Sequence, residues 1–249
     1  MGFLDRILGY ARLRENTKKN PSESVPQPRN ENATKLLECG GFFAMLLDKN
    51  GYIARSEYLS QVDQYSSVID FFNVLVSSGM LTDFCKKNEL SEEQVRDIIN
   101  LYNDIEKRAD VHNEAYVSSA MVKEKQYLDT VLQAIDPKIS LDDDQRRVVL
   151  TDEDYCMVIA GAGAGKTTTV AAKVKYLVDK QKVNPRQILV ISFTNKAVNE
   201  LKDKIQKGLG IDCPIATFHS TGNAVIHVNS PEEKLNIVDQ SRLYFVIRD

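Results

Sequence analysis

Apolar residues recur at helical spacing through most of the first half of the chain. Residues 3–13 carry one such stripe, which predicts a short amphipathic helix that docks on its own protein. Ser91 and Gln94 form a capping box that predicts a helix start, followed by an apolar face of Val95, Ile98, Ile99, Tyr102 and Ile105. A further helix is predicted from about His112 to Ile135, ended by Pro137, with a buried side of Ala115, Met121, Tyr127, Leu128, Val131 and Leu132.

Changes in composition predict the domain organisation. Residues 15–32 are polar and contain three prolines, as expected of a flexible linker. We therefore expect a helix within residues 1–14, a linker over 15–32, a mostly helical domain over 33–138 and a second domain over 139–249. Ser230–Glu233 has an N-cap serine, a first-turn proline and a capping glutamate, which predict one more helix start.

The second domain alternates between strand and helix patterns. Strands are predicted at Tyr155–Ala160, Gln187–Phe193 and Cys213–Thr217. The first helix between them has an inner side of Val170, Val174 and Leu177, and the second runs from Asn195 to Leu209, closed by Gly210. This alternation predicts an α/β fold with a parallel sheet covered on both faces.

Composition excludes several classes of protein. The longest apolar runs, such as Ile188–Ile191, fall well short of the roughly 20 residues that a membrane span needs. Residues 1–13 contain charges and no cleavage site of the secretory type, so a cytoplasmic location without membrane contact is expected. The cysteines, at positions 39, 85, 156 and 213, are too widely spaced for a zinc site and predict free thiols.

Charge is unevenly distributed. The formal net charge of −3 argues against a general nucleic-acid binder. Residues 160–210, however, carry ten lysine or arginine residues against three acidic ones, whereas residues 32–140 carry 11 against 17. Such a basic segment favours binding of polyanions, although solvated helix faces are also rich in lysine.

A glycine- and alanine-rich loop stands between a predicted strand and a predicted helix, the context that a phosphate-binding P-loop requires. Small residues let the backbone N–H groups curl around phosphates, and the helix N-terminus adds its positive dipole. Lys166 can reach the β- and γ-phosphates, and the Thr167 hydroxyl can coordinate Mg²⁺. The first position holds alanine instead of the usual glycine, and the candidate phosphate-binding residues are Ala160, Gly161, Ala162, Gly163, Ala164, Gly165, Lys166, Thr167 and Thr168.

A second glycine loop, around Gly51, matches several positions of a calcium-binding EF-hand loop. Leu46 stands where the first carboxylate ligand is needed. An Asn-Gly turn, with positive φ at Gly51, is therefore the preferred interpretation.

Four motifs together resemble the opening of UvrD-like superfamily 1 helicases. Leu141–Val149 is similar to the Q motif, and the loop from Ala160 to Thr167 to the Walker A motif, which opens with alanine in that family. Ser192–Ala197 and Ala216–Ser220 resemble motifs Ia and Ib. The resemblance implies a partial RecA-like lobe that binds ATP and Mg²⁺, with Gln145 reading the adenine edge.

The same resemblance implies contact with single-stranded DNA. Phe193 and Phe218 would lie near bases, Thr194, Asn195 and Thr217 near phosphates, and His219 nearby. Residues 112–129 are more loosely similar to helicase IV-like proteins, which suggests that the acidic helical domain binds a protein partner.

The chain departs from the family in one respect. No Asp-Glu pair follows a buried strand after Ser220, so the carboxylates that hold Mg²⁺ and position the attacking water are not found, nor is the second lobe with its arginine fingers. We therefore expect an incomplete helicase that does not turn over ATP alone. The alternative is a nucleotide-binding interaction module without ATPase activity. A GTPase is disfavoured because Asn195–Val198 lacks the Asp of the guanine-reading motif.

Overall fold

The structure is a computed structural model that describes residues 30–229. The predicted helices within residues 3–13 and at Ser230–Glu233 lie outside these residues, as does most of the predicted linker. The described chain forms two compact units. We call residues 30–126 with 146–159 the helical unit, and residues 127–145 with 160–229 the α/β unit.

The first five helices belong to the helical unit. They are α1 (Glu31–Leu47), α2 (Ser56–Ser77), α3 (Leu81–Lys87), α4 (Glu92–Asn103) and α5 (Ile105–Lys123). The side chain of Ser91 accepts a hydrogen bond from the Gln94 N–H at 3.0 Å, so the predicted cap at the start of α4 is confirmed. The predicted apolar face is also confirmed, since Tyr102 is half-buried and Val95, Ile98, Ile99 and Ile105 are buried.

The core of the helical unit forms where α1, α2 and α4 pack together. Phe43 and Phe72 are fully buried in it, and Ile98 nearly so. A Cβ atom at Gly40 would lie 2.7 Å from Cγ1 of Ile98, so α1 and α4 approach more closely than any larger residue would allow. Removal of these apolar side chains from water stabilises the helical unit.

The loop after α1 is hydrogen-bonded to α5. Asn113, which is buried, accepts from the Ile53 N–H at 2.8 Å and donates to the Ile53 carbonyl at 2.9 Å. His112 Nε2 lies 2.8 Å from the Gly51 carbonyl oxygen.

Gly51 does not have the positive φ that the predicted Asn-Gly turn required. Because its φ is negative, the turn needs no glycine for conformational reasons.

The helix predicted from His112 to Ile135 is interrupted. Its first part lies in α5, and the chain then forms the short helix α6 (Lys125–Thr130) followed by turns. Leu128, Val131 and Leu132 are buried as predicted, whereas Ala115 is exposed and Met121 and Tyr127 are half-buried. One apolar pattern thus extends across two helices that bury different faces.

The segment Tyr155–Ala160 does not form the predicted strand. The helix α7 (Asp143–Leu150) precedes it, and Glu153 and Asp154 accept from the N–H groups of Arg55 and Ser56 at the start of α2, at 3.0 and 2.9 Å. Tyr155 is 94% exposed and Ile159 is 88% exposed. An apolar run becomes a strand only where a neighbouring strand pairs with its backbone, and this segment has no place in the observed sheet.

The α/β unit contains a small parallel sheet. Strands β1 (Val190–Ser192) and β2 (Ile215–Thr217) pair in parallel, with Ser192 opposite Thr217. Helix α8 (Lys166–Asp179) and a 3₁₀ turn (Pro185–Gln187) precede β1. Helix α9 (Asn195–Lys202) and a π-helical turn (Asp203–Gly208) connect the strands, and α10 (Phe218–Asn229) follows.

The observed α/β elements are shorter than predicted. The predicted parallel pairing is confirmed, but each strand has three residues, so the described chain is mostly helical. The helix predicted over Asn195–Leu209 becomes π-helical from Asp203, and Gly210 follows with φ +68°. In α8, Val174 is buried as predicted and Leu177 is half-buried, whereas Val170 is exposed; Thr169, Ala172 and Tyr176 are buried instead.

Within residues 30–229 no single helix is long and apolar enough to cross a membrane. The bent pair Ser56–Ser77 and Leu81–Lys87, with 119° between the two helices, is long and apolar enough only when taken together.

Candidate functional site

The loop from Ala160 to Gly165 has the backbone of a tight turn opening onto a helix. Gly163 and Gly165 both have φ of +77°, a conformation that favours glycine. Gly165 is the N-cap of α8, and no side chain caps that helix start. The N–H groups of the first turn of α8 are therefore available to an anion, and the helix dipole favours one there.

Lys166 is the first residue of α8 and is exposed. Its Nζ donates to the carbonyl oxygens of Ala160 and Gly161, at 2.9 and 2.6 Å. The ammonium group is thus held over the loop by bonds to two uncharged carbonyl oxygens. A phosphate at this loop would be a stronger, charged acceptor for the same group.

Gln145, from the first turn of α7, lies against the same loop. Its Nε2 donates to the Ala164 carbonyl at 3.1 Å, and its Oε1 accepts from the Asp142 N–H at 3.1 Å. A Cβ atom at Gly165 would lie 2.6 Å from Nε2. The structure thus brings together Gln145 and the loop that follows it by 15 or more residues, although the role in reading adenine stays a prediction.

The two threonines after Lys166 are half-buried in the first turn of α8. The Thr168 hydroxyl lies 3.3 Å from Nζ of Lys204, a residue that the sequence reasoning did not select. Spacing along the chain could not have found this pair, because 36 residues separate its members. The Mg²⁺ role of Thr167 stays a prediction, and within residues 30–229 no group of three or more His, Cys, Asp or Glu residues is arranged to hold a metal ion.

A second candidate region lies at the carboxyl ends of the two strands. Ser192 and Thr217 are paired, so Phe193 and Phe218 follow adjacent parallel strands at the same edge of the sheet. Phe193 is 82% exposed and Phe218 is 68% exposed. Two exposed aromatic side chains at one edge suit stacking against flat ligands.

The polar residues at this edge have local structural roles. Thr194 caps α9 by accepting from the Ala197 N–H at 3.2 Å, and Asn195 is the first residue of that helix. The Thr217 hydroxyl accepts from the Ser220 N–H at 3.1 Å. His219 packs edge-on against Phe218, with ring centroids 6.4 Å apart. Their contacts with phosphates stay a prediction.

Several lysines of the basic segment are paired within the unit. Ion pairs at helical spacing join Lys175 to Asp179, Lys204 to Glu200 and Lys207 to Asp203. The hydrogen bond from Lys207 to Asp203 raises the pKa of Lys207. Part of the local positive charge is therefore offset, so charge alone gives only weak support for polyanion binding.

Cys213, in the same unit, has no reactive thiol. Burial raises the pKa of its thiol group.

The sequence model of the UvrD/REP helicase N-terminal domain matches residues 141–244. The matched range includes Gln145, the 160–165 loop and both strand ends. The resemblance to UvrD-like helicases is therefore confirmed for this part of the chain, which is similar to the N-terminal domain of UvrD/REP helicases.

Individual helicases show the same similarity. A probable DNA helicase II homologue of Mycoplasma capricolum is 37% identical over 106 residues, which are 40% of this chain and 15% of that protein. The ATP-dependent DNA helicase PcrA of Staphylococcus aureus is 34% identical over 113 residues, 43% of this chain and 16% of the relative. A probable DNA helicase of Mycoplasma pneumoniae is 36% identical over 109 residues, 42% of this chain and 20% of the relative. The matched segments thus span at most a fifth of each relative's length.

Proposed function

We propose that the chain is the N-terminal part of an ATP-dependent DNA helicase or translocase, and that its α/β unit is part of a RecA-like lobe. The observation that carries this proposal is the 160–165 loop. Two left-handed glycines lead directly into an uncapped helix that begins with Lys166 and Thr167, within the range that matches the helicase family.

ATP and Mg²⁺ are the proposed ligands of this loop. The N–H groups of the loop and of the first turn of α8 bind phosphate oxygens, and Lys166 exchanges the carbonyls of Ala160 and Gly161 for the β- and γ-phosphates. The Thr167 hydroxyl is a ligand for Mg²⁺. Gln145 turns from the Ala164 carbonyl toward the adenine edge, where its amide can donate and accept at once.

Single-stranded DNA is the proposed polymer ligand. Phe193 and Phe218 offer exposed ring faces at one sheet edge, which is how sequence-tolerant binders of single strands hold bases. Thr194, Asn195 and Thr217 stand beside them and provide donors for phosphates.

The proposed DNA contact predicts a specific loss of affinity. Removing one stacking ring costs about 1–3 kcal/mol, so Phe193→Ala and Phe218→Ala should each weaken binding of a labelled oligo-dT by roughly tenfold in fluorescence anisotropy. Tyr155→Ala removes a ring that is even more exposed, from the helical unit, and should leave the affinity unchanged. Equal affinities for wild type and both Phe variants would contradict the DNA contact.

An interaction module that binds nucleotide without hydrolysing it is the alternative function. The helical unit has its own core and presents the apolar side chains of Met45, Val111 and Val122 to solvent, which suits a protein partner. Binding of DNA separates the two functions, because neither predicts sustained ATP turnover by this chain alone. Binding of oligo-dT that Phe193→Ala and Phe218→Ala weaken supports the helicase, whereas nucleotide binding without DNA binding supports the module.

A further inference from the structure

The connection from α9 to β2 contains an irregular turn that is firmly anchored. The π-helical turn Asp203–Gly208 includes a hydrogen bond from the Leu209 N–H to the Lys204 carbonyl at 3.0 Å, five residues back. Ile205 is fully buried, and the Gln206 side chain donates to the Cys213 carbonyl at 2.9 Å. Such turns are rare within helices and occur often at functional sites.

Lys204 extends from this turn to the start of α8. Its Nζ lies 3.3 Å from the Thr168 hydroxyl and 3.2 Å from a carboxylate oxygen of Glu200. The Lys204 side chain is only 24% exposed, whereas that of Lys207, in the same turn, is 79% exposed. Glu200 and the buried turn therefore hold the Lys204 ammonium beside α8.

The contact affects what the Thr168 hydroxyl can do. Thr168 is the third residue of α8, in the turn whose N–H groups no side chain caps. A hydroxyl that accepts from an ammonium group still has its own hydrogen to donate, and the bond it accepts makes it a better donor.

We propose that Lys204 is a positioning residue for the nucleotide, and that it orients the Thr168 hydroxyl as a donor toward phosphate bound at the 160–165 loop. This inference rests on the proposed nucleotide binding. It assigns the π-helical turn after α9 the role of presenting Lys204 to α8, and it makes this turn part of the nucleotide site.

The test is a double-mutant cycle in the full chain, with a fluorescent ATP analogue and Mg²⁺ as the probe. Lys204→Met should lower the affinity roughly fivefold to tenfold, the loss expected when one ordinary hydrogen bond from the Thr168 hydroxyl is weakened, and Lys204→Arg should restore most of it. Lys207→Met removes the same charge from the same turn and should leave the affinity unchanged. In a Thr168→Val background, Lys204→Met should have no further effect, because the two residues act in series.

The outcomes separate this inference from the proposed function. Unchanged affinity of a folded Lys204→Met, in a protein whose binding Lys166→Ala abolishes, overturns the role of Lys204 and leaves nucleotide binding intact. An equal loss with and without the Thr168 hydroxyl overturns positioning through Thr168. A folded wild type that does not bind the analogue overturns the proposed function and the inference together. Thermal unfolding of each variant identifies losses that come from misfolding.

Discussion

At the residue scale, the side chains predicted to hold a nucleotide are already bonded to their own loop. Lys166 donates to two loop carbonyls, and Gln145 donates to a third. Nucleotide binding must exchange these bonds for bonds to phosphate and base. The net gain in binding free energy is therefore smaller than the number of new contacts suggests. The motif predicts which residue types the site needs, but only the folded structure shows which loop carbonyls these side chains contact.

Gly165→Ala should weaken nucleotide binding through two effects. A residue with a Cβ is strained at φ +77°, and the new atom would lie 2.6 Å from Nε2 of Gln145. The left-handed strain alone is about 1–2 kcal/mol, so we expect roughly tenfold lower affinity for the ATP analogue.

Gly222→Ala is the matched control, since Gly222 lies outside the loop, in α10, and a Cβ there meets nothing within 4 Å. It should bind like the wild type. If Gly165→Ala binds the analogue as well as this control does, the loop does not keep the left-handed backbone at Gly165 when the ligand is bound.

At the element scale, the sequence predicted best those helices whose caps and faces are local. The cap at Ser91 and the apolar face of α4 required only neighbouring residues, and both are observed. The strand predicted at Tyr155–Ala160 was wrong, whereas the helix predicted from Asn195 to Leu209 extends to Gly208 but is π-helical from Asp203. A strand depends on a partner strand, and the π-helical turn depends on the burial of Ile205 and the bond from Gln206 to Cys213, which no local pattern encodes.

Differences in solvent exposure predict which cysteines react with a thiol reagent. Cys156 is exposed, whereas Cys39, Cys85 and Cys213 are buried, and burial raises the pKa of Cys39 to about 12. A thiol reagent should therefore label Cys156 rapidly in the native protein and the other three only after denaturation.

Mass spectrometry of the native protein after brief labelling identifies the modified cysteine, and Cys156→Ser is the control that should abolish the fast phase. If Cys156 reacts slowly in the native protein, the segment Tyr155–Ala160 is buried, as a strand in the sheet would be.

At the scale of the whole molecule, the α/β unit includes residues before the helicase match. The Tyr127 hydroxyl donates to Asp179 at 3.1 Å, and the Lys180 ammonium lies 4.7 Å from the centre of the Tyr127 ring. These contacts join segments 52 residues apart and attach the chain before Gln145 to the end of α8. Apolar periodicity placed Tyr127 on a helix of the other domain, because a pattern along the chain cannot indicate which distant element a residue packs against.

The most direct test of the account is equilibrium binding of a fluorescent ATP analogue, with Mg²⁺, to the wild type, Lys166→Ala and Lys173→Ala. Lys173 lies two turns further along α8, so its loss changes the net charge equally without touching the loop. We predict that Lys166→Ala loses at least about tenfold in affinity, or about 1.4 kcal/mol, and that Lys173→Ala binds like the wild type. Equal binding by all three proteins, or no binding by a folded wild type, would contradict the claim that the 160–165 loop is a nucleotide site.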